Sequence, residues 1–270
     1  MATVLVTGGL GYIGSHTVVS LLEAGHKVIV VDNLVNTNAA VLDGINAITG
    51  KTPQFYPLDL RQPETASMLF SKHPDIHAVI HFAAFKAVGE SVEKPLDYYQ
   101  NNLNTLVYLL QEVVKKPIAF IFSSSCTVYG QALELPILET APVLKAMSPY
   151  GNTKQIGEEI LQDCCLAYPH LKVTALRYFN PIGPHESALI GELPIGVPQN
   201  LVPFITQTGV GKRAQLSVFG NDYPTPDGTC IRDYIHVVDL AEAHMAAMNR
   251  LLNLTPKASF EVFNVGTGKG

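Results

Sequence analysis

Thr3-Val4-Leu5-Val6-Thr7-Gly8-Gly9-Leu10-Gly11-Tyr12-Ile13-Gly14 opens the chain with a short β-branched run, a glycine-rich turn and the start of an amphipathic stretch. The turn satisfies Gly-x-Gly-x-x-Gly from Gly9, and a second spacing begins at Gly8. Between a strand and a helix, such glycines let the backbone turn tightly and come close to a pyrophosphate, whose charge rests at the helix N-terminus. A bare glycine triplet is often only a loop. Here strand, glycines, helix and second strand follow in order, and Asp32 ends the second strand. A carboxylate in that place bonds both ribose hydroxyls of an adenosine and repels a 2′-phosphate. The reading is a dinucleotide site that takes NAD in preference to NADP.

Outward from this unit, short apolar runs alternate with longer amphipathic ones. Strands are expected at 3–7, 27–31, 54–57, 78–82, 119–123 and 172–177, and helices at 12–24, 38–48, 63–72, 92–115 and 149–167. That alternation predicts an α/β fold, a doubly wound parallel sheet of Rossmann type. Nearly continuous apolar strands such as Val28-Ile29-Val30-Val31 suit a sheet covered on both faces. From Asn180 the texture changes, with prolines at 181, 184, 194, 198 and 203 and little periodicity. The division expected is a dinucleotide-binding domain over 1–179 and a smaller, loop-rich substrate domain over 180–270. Within the second, Pro224-Thr225-Pro226-Asp227-Gly228 predicts a hairpin turn, 237–252 a helix and 260–266 a strand feeding a glycine turn. The second domain reads as incomplete at Gly270.

Composition excludes several classes. A net charge of −5 offers no basic stripe for nucleic acid. No apolar run approaches the ~18 residues of a membrane span, and the N-terminus lacks the parts of a signal peptide. Cys126, Cys164, Cys165 and Cys230 form neither a Cys-x-x-Cys pair nor a zinc spacing. Reduced thiols, a cytoplasmic location and no metal are the expectation.

Tyr150 and Lys154, in Ser148-Pro149-Tyr150-Gly151-Asn152-Thr153-Lys154, stand at i and i+4 on one helix face, with Pro149 suited to open the helix. An ordinary tyrosine, with a pKa near 10, is about one part in a thousand ionised at pH 7. A neighbouring cation and an oxidised nicotinamide both favour the phenolate, which makes Tyr150 a candidate base for a sugar hydroxyl. The hydroxyl cluster Ser123-Ser124-Ser125-Cys126-Thr127 follows the fifth strand, where strand ends border the ligand crevice. It reads either as a turn that caps the next helix or as a catalytic element, with Ser125 the best candidate. His81-Phe82-Ala83-Ala84-Phe85-Lys86 ends the fourth strand at the same edge, and Lys86 could reach a phosphate or simply be solvated. His81 itself reads as a hydrogen-bonded strand histidine. Arg232 is open to two readings, a fork onto a phosphate or a structural pair with Asp233.

Together these residues closely resemble the UDP-glucose 4-epimerases of the extended short-chain dehydrogenase/reductase family. The resemblance runs along the whole chain, through Thr7–Thr17, Asp32-Asn33-Leu34, Lys86-Ala87-Val88-Gly89-Glu90-Ser91, Arg177-Tyr178-Phe179-Asn180-Pro181 and Phe219-Gly220-Asn221-Asp222-Tyr223-Pro224-Thr225. It implies interconversion of UDP-galactose and UDP-glucose through a 4-keto sugar on tightly held NAD. Tyr150 would take the 4-hydroxyl proton, Lys154 would depress the pKa of Tyr150 and bond the nicotinamide ribose, and Ser125 would hold the 4-oxygen with Thr127 nearby. Gly8, Gly11, Tyr12, Ile13, Gly14, Asp32, Asn33, Asp59, Leu60, Phe82, Lys86, Asn101 and Phe179 would line the cofactor. Asn180, Asn200, Leu201, Phe219 and Arg232 would receive the UDP-sugar. A homodimer paired through the helices at 92–115 and 149–167 is also implied, as are several tens of residues beyond Gly270 that complete the UDP site.

Two departures from the family pattern stand beside two rival readings of the chain. Thr153 stands where the family often has serine, and the chain stops short of the family's tail. A nucleotide-sugar 4,6-dehydratase or decarboxylase is the rival enzyme, but dehydratases want an Asp-Glu pair after the serine cluster, where this chain has Cys126-Thr127-Val128. A non-catalytic NAD-binding regulator has no need of an intact Ser125, Tyr150 and Lys154 set.

Overall fold

The two runs that flank the glycine turn pair in parallel, with Leu5 opposite Ile29 and Val6 opposite Val30. The protein is described from a computed structural model, over residues 1–254 and 258–269; residues 255–257 and 270, which belong to the stretch expected as the second domain, lie outside the described residues. Elements follow in the order β1 (Thr3–Thr7), α1 (Tyr12–Glu23), β2 (Lys27–Val31), α2 (Val41–Thr49), β3 (Gln54–Tyr56), α3 (Pro63–Lys72), β4 (Ile76–His81), α4 (Val88–Glu93), α5 (Pro95–Val113) and β5 (Ala119–Ser125). They continue with α6 (Pro149–Ala167), β6 (Lys172–Tyr178), β7 (Asn180–Ile182), α7 (Leu201–Gly209), β8 (Tyr234–His236), α8 (Val237–Asn253) and β9 (Phe260–Val265).

Seven strands form one sheet in the order β3-β2-β1-β4-β5-β6-β9, and every pairing in it is parallel. This is the doubly wound architecture expected from the alternation. Side chains alternate across the sheet: Val4, Val6, Val28 and Val30 pack with Val18 and Leu21 of α1 and Leu240 and Met248 of α8. Leu5, Ile29 and Val79 face the other way, against Leu69 of α3, Leu109 of α5 and Leu161 of α6. Each such aliphatic side chain, fully buried, contributes about 1.5–3 kcal/mol. The strand order reverses between β1 and β4, so the crevice at their C-terminal ends is where this topology seats a ligand.

Two local expectations fail. The helix expected over 92–115 is two helices, broken at Lys94 (φ −128°, ψ 55°). Pro95 has no N–H to continue the ladder and forces its predecessor out of the helical region, so it opens α5 instead. The stretch around Pro224–Gly228 makes no hairpin. It closes on itself through Tyr223 N–H to Gly228 O (3.1 Å) and Thr225 Oγ1 to Thr229 O (2.6 Å), with no strand on either side. In its stead a short parallel pair, β7 with β8, joins Asn180 to Tyr234 and Ile182 to His236. From residue 180 onward, α8 and β9 complete the main sheet and its cover, while 183–233 is an excursion held at that pair.

Candidate active site

The site begins with the glycine turn. Gly8 has φ +67°, and a Cβ there would stand 2.8 Å from the Ala83 nitrogen at the end of β4. At Gly14 a Cβ would meet the Gly8 carbonyl oxygen at 2.3 Å. The turn is closed by Gly11 N–H to Gly8 O (3.1 Å) and Ser15 N–H to Gly11 O (2.9 Å). No side chain caps α1, so its first N–H groups face outward beside a floor that only glycine permits. Asp32, buried at the end of β2, accepts N–H groups from Leu10 (3.2 Å) and Leu34 (2.9 Å). Burial raises its carboxyl and these two donors oppose the rise. A cradle without Cβ atoms beside a buried carboxylate fits a dinucleotide.

The other expected cofactor residues are distributed along the same sheet edge. Asp59 and Leu60 follow β3, and the Asp59 carboxylate is engaged by the Arg61 guanidinium in a fork (Nε 2.9 Å, Nη2 2.6 Å to Oδ2), which holds it below the usual carboxylate range. Asn33 contributes to the same lowering, and Leu60 is buried. Phe82 follows β4 and packs on His244, ring centroids 4.6 Å apart. Asn101 is buried in α5 and donates to Asn102 (2.9 Å). Phe179 follows β6, with its N–H on Val265 O at 3.3 Å. Tyr12 donates to Gly183 O (2.5 Å), tying α1 to the excursion, and Ile13 packs on the core next to it. Lys86 faces Glu192 at 3.5 Å.

At the end of β5, Ser125 Oγ accepts from the N–H (3.2 Å) and the hydroxyl (3.0 Å) of Thr127. Ser148 caps α6 through Gly151 N–H (3.1 Å), and Pro149 takes the first helical position. This sets Tyr150 and Lys154 on the inward face of α6. Thr153 bonds Tyr150 O (2.7 Å) and accepts from Asn102 (3.0 Å), so a threonine here fastens α6 to α5. Lys154 is 4% exposed, donates to Ser123 O at 2.6 Å, and lies 4.9 Å from the Phe122 ring centre and 5.9 Å from that of Tyr150. Burial lowers the Lys154 ammonium to about 8, and the Glu158 carboxylate opposes this. Burial pushes the Tyr150 phenol up, while the neighbouring Ser125 hydroxyl works the other way. The protein by itself therefore keeps Tyr150 as a phenol; the expected depression of its pKa is not a property of the Tyr150–Lys154 spacing alone. His81 bonds Thr7 Oγ1 (2.8 Å) and is lowered to about 3 by burial and by Lys154, as suits a neutral strand histidine.

The expected UDP-sugar residues are less gathered. Asn180 donates to Asp233 O (2.8 Å) beside β8. Asn200 and Leu201 start α7, with Asn200 bonded to Glu192. Phe219 is 89% exposed. Arg232 donates to Ile231 O and not to Asp233, whose carboxylate instead holds Thr267 N–H (2.9 Å) and Gly268 N–H (2.8 Å) after β9. Of the two readings of Arg232, the structural pair with Asp233 is not formed; its charge acts on Cys126 next to Ser125. A cavity of about 250 Å³ lies beside Tyr12, lined by Gly183, Ile190, Glu192 and Val202. Sequence reasoning missed Glu192, which stands between Lys86 and Asn200, and the buried Glu158–Arg177 pair behind Lys154. The repeat of polar residues at 150, 154 and 158 was the available signal for the second. Among the described residues no group of His, Cys, Asp or Glu is arranged to hold a metal ion, and no helix is long and apolar enough to cross a membrane.

Comparison with known proteins agrees with this geometry. The profile of the NAD dependent epimerase/dehydratase family matches residues 4–266. The UDP-glucose 4-epimerase of Yersinia pestis is 53% identical over 268 residues, which is 99% of this chain and 78% of that protein. That of Bacillus subtilis is 52% identical with the same coverage. The crystal structure of UDP-glucose 4-epimerase from Bifidobacterium longum, in complex with NAD+ and UDP, is 47% identical with a TM-score of 0.94, covering 100% of this chain and 79% of that one. The enzyme from Stenotrophomonas maltophila, solved with NAD and formylated UDP-arabinopyranose, is 46% identical with a TM-score of 0.94 and the same coverage.

Proposed function

We propose that this chain, which belongs to the NAD dependent epimerase/dehydratase family and within it to the UDP-glucose 4-epimerases, interconverts UDP-galactose and UDP-glucose through a 4-keto sugar. The observation that carries the reading is the meeting of Ser125, Tyr150 and Lys154 at the strand edge that also holds the glycine cradle. The dehydratase reading is not favoured, because Cys126-Thr127-Val128 after Ser125 offers no carboxylate to remove water. The regulator reading leaves the buried Lys154 and its neighbours without a use.

NAD, when bound, would supply the hydride acceptor and donor that oxidation and reduction at C4 require. Gly8, Gly11 and Gly14, with the open N-terminus of α1, would hold its pyrophosphate, and Tyr12 and Ile13 flank it. Asp32, with Asn33, would bond the adenosine ribose; Asp59 and Leu60, Phe82, Lys86, Asn101 and Phe179 would line the remainder. Lys154 would donate to the nicotinamide ribose with the N–H bonds that Ser123 leaves over. Tyr150 takes the proton of the sugar 4-hydroxyl and gives it back when the ring has turned. Ser125 holds the 4-oxygen, with Thr127 fixing the serine rotamer. Asn180, Asn200, Leu201, Phe219 and Arg232 are proposed to grip UDP, leaving the hexose loosely held, since a tightly bound ring could not rotate. Residues 1–179 form the cofactor half in this scheme and 180–270 the UDP-sugar half. A homodimer through α5 and α6, and a cytoplasmic location suited to four free cysteines, complete the proposal.

The test is conversion of UDP-galactose to UDP-glucose with no NAD added, together with release of nucleotide on denaturation. Conversion with about one NAD released per chain is expected. A protein that binds neither NAD nor UDP and converts nothing overturns the reading. Sedimentation that finds a monomer at micromolar concentration removes the dimer.

A further inference from the structure

Behind Lys154 lies a charge pair that the mechanism above does not use. Glu158 sits one turn further along α6 and is 3% exposed. Its Oε1 accepts from Ser124 Oγ (2.5 Å) at the end of β5 and from Arg177 Nε (2.9 Å) on β6, while Oε2 accepts from Arg177 Nη2 (2.5 Å). Arg177 is itself fixed, 4.7 Å over the Tyr129 ring, and Tyr129 donates to Asn264 of β9 (2.7 Å). The carboxylate is thus held from two strands, β5 and β6, with Arg177 braced against Tyr129. A buried ion pair is weak evidence of stability, because desolvation offsets most of its attraction. Its retention here calls for a use other than holding the fold together.

The neighbouring ammonium supplies one. Lys154 lies over the Phe122 ring and, among the described residues, has a single acceptor, the Ser123 carbonyl. An ammonium in such surroundings tends to shed its proton. The titratable groups around it are His81 on β4, Tyr150 and Glu158 on α6, and Arg177 and Tyr178 on β6; Tyr98 of α5 acts on Tyr150 from behind. His81 is neutral, the two tyrosines are held as phenols, and among the described residues Glu158 is the carboxylate that acts on Lys154. Residues at i and i+4 of a helix are neighbours, so the distance is short enough for the charge to matter. Ser124, which donates to Glu158, also stands between the carbonyl that Lys154 uses and the hydroxyl of Ser125.

We propose that Glu158 is a positioning residue, fixing the charge and the aim of the Lys154 ammonium from one helical turn behind it while the forked pair with Arg177 holds it still. The inference rests on the epimerase reading only for the reaction that Lys154 serves. Glu158 touches neither sugar nor cofactor in it, and acts through Lys154 alone.

The test follows the titration of Lys154 directly, in protein labelled with 13C at the lysine ε carbon and assigned with Lys154→Arg. Glu158→Gln keeps shape and removes charge, and is expected to lower the Lys154 midpoint by about 1–3 units, the usual effect of losing a close opposite charge. Ser124→Ala disturbs the same cluster without removing charge, and is expected to leave the midpoint within about 0.5 units. Equal shifts in the two variants, or none in Glu158→Gln, overturn the proposal. If Glu158→Gln does not fold, the double variant Glu158→Gln/Arg177→Met removes both buried charges at little cost in stability; because the Arg177 cation leaves with the carboxylate, a smaller fall in the same direction is expected, and no fall overturns the proposal. A second readout is the alkaline limb of UDP-galactose turnover, which moves down with the Lys154 midpoint while KM stays. Absence of turnover in the unmodified protein would count against the epimerase reading and leave the Lys154 titration to decide this one.

Discussion

Gly14→Ala tests the cradle by the smallest available change. A Cβ at Gly14 would stand 2.3 Å from the Gly8 carbonyl oxygen and 2.9 Å from Gly9 Cα, whereas ordinary contact begins at 3.4 Å. The obstacle is backbone, so the turn itself must move by about 1 Å, and the displaced oxygen is the acceptor for Gly11 N–H (3.1 Å). Overpacking of this kind costs about 1–3 kcal/mol. At roughly 2–4 °C per kcal/mol for a chain of this size, the melting temperature should fall by roughly 2–12 °C. Gly89→Ala is the internal control. Gly89 lies in α4 with nothing within 4 Å of its Cβ position, so alanine there should stabilise by about 0.5–1 kcal/mol. The assay is thermal unfolding by circular dichroism on protein stripped of nucleotide, followed by titration with NAD. Gly14→Ala should melt lower than Gly89→Ala and bind NAD more weakly. Equal melting temperatures and equal NAD affinity would show that the turn yields freely and that the cradle argument is mistaken.

Two further outcomes are expected. Tyr150→Phe removes one oxygen and leaves the buried ring, so stability by urea unfolding should change by no more than about 1 kcal/mol, while turnover falls roughly 100- to 10,000-fold; turnover within tenfold of the unmodified protein would refute the role of Tyr150 as base. His81 and His244 are buried and neutral, lowered to about 3 and about 4. The unfolded chain, with histidine near 6.5, binds protons that the folded chain refuses, so stability is lost as pH falls from about 6.5 towards 4, by about 2 kcal/mol per histidine at pH 5. Urea midpoints that are the same at pH 7 and pH 5 would contradict this.

Much of the sheet was readable because its information is local. Thr3–Thr7 and Lys27–Val31 are continuous β-branched runs, and α3 and α6 each begin with a proline that announces them, so their limits were met to the residue. Pro95 carried the same announcement and was overlooked inside a longer periodic pattern, which merged α4 with α5. What failed depends on distant partners. β7 and β8 are three residues each, one of them containing Pro181, and each exists only because the other lies beside it. For the site, Tyr150, Lys154, Ser125 and the glycines share one sheet edge because strand ends must meet there. The Glu158–Arg177 contact joins a helix to a strand across the core, and no spacing along the chain announces which arginine a buried glutamate will take. The phenol at 150 illustrates the remaining limit: burial, which raises it, follows from the packing of residues remote in sequence.

The β7–β8 pair has a consequence for how such a chain can change over generations. Residues 183–233 leave and re-enter the body side by side, through two three-residue strands in register. Beyond its anchors on the frame, Gly183 on Tyr12 and Ile190 in the core, such a segment can be lengthened or shortened with little disturbance, because each doubling of a flexible loop costs only about 0.6 kcal/mol in closure. The frame from β1 to β6 then serves as a constant chassis, and change over generations can concentrate in the part that hangs from it.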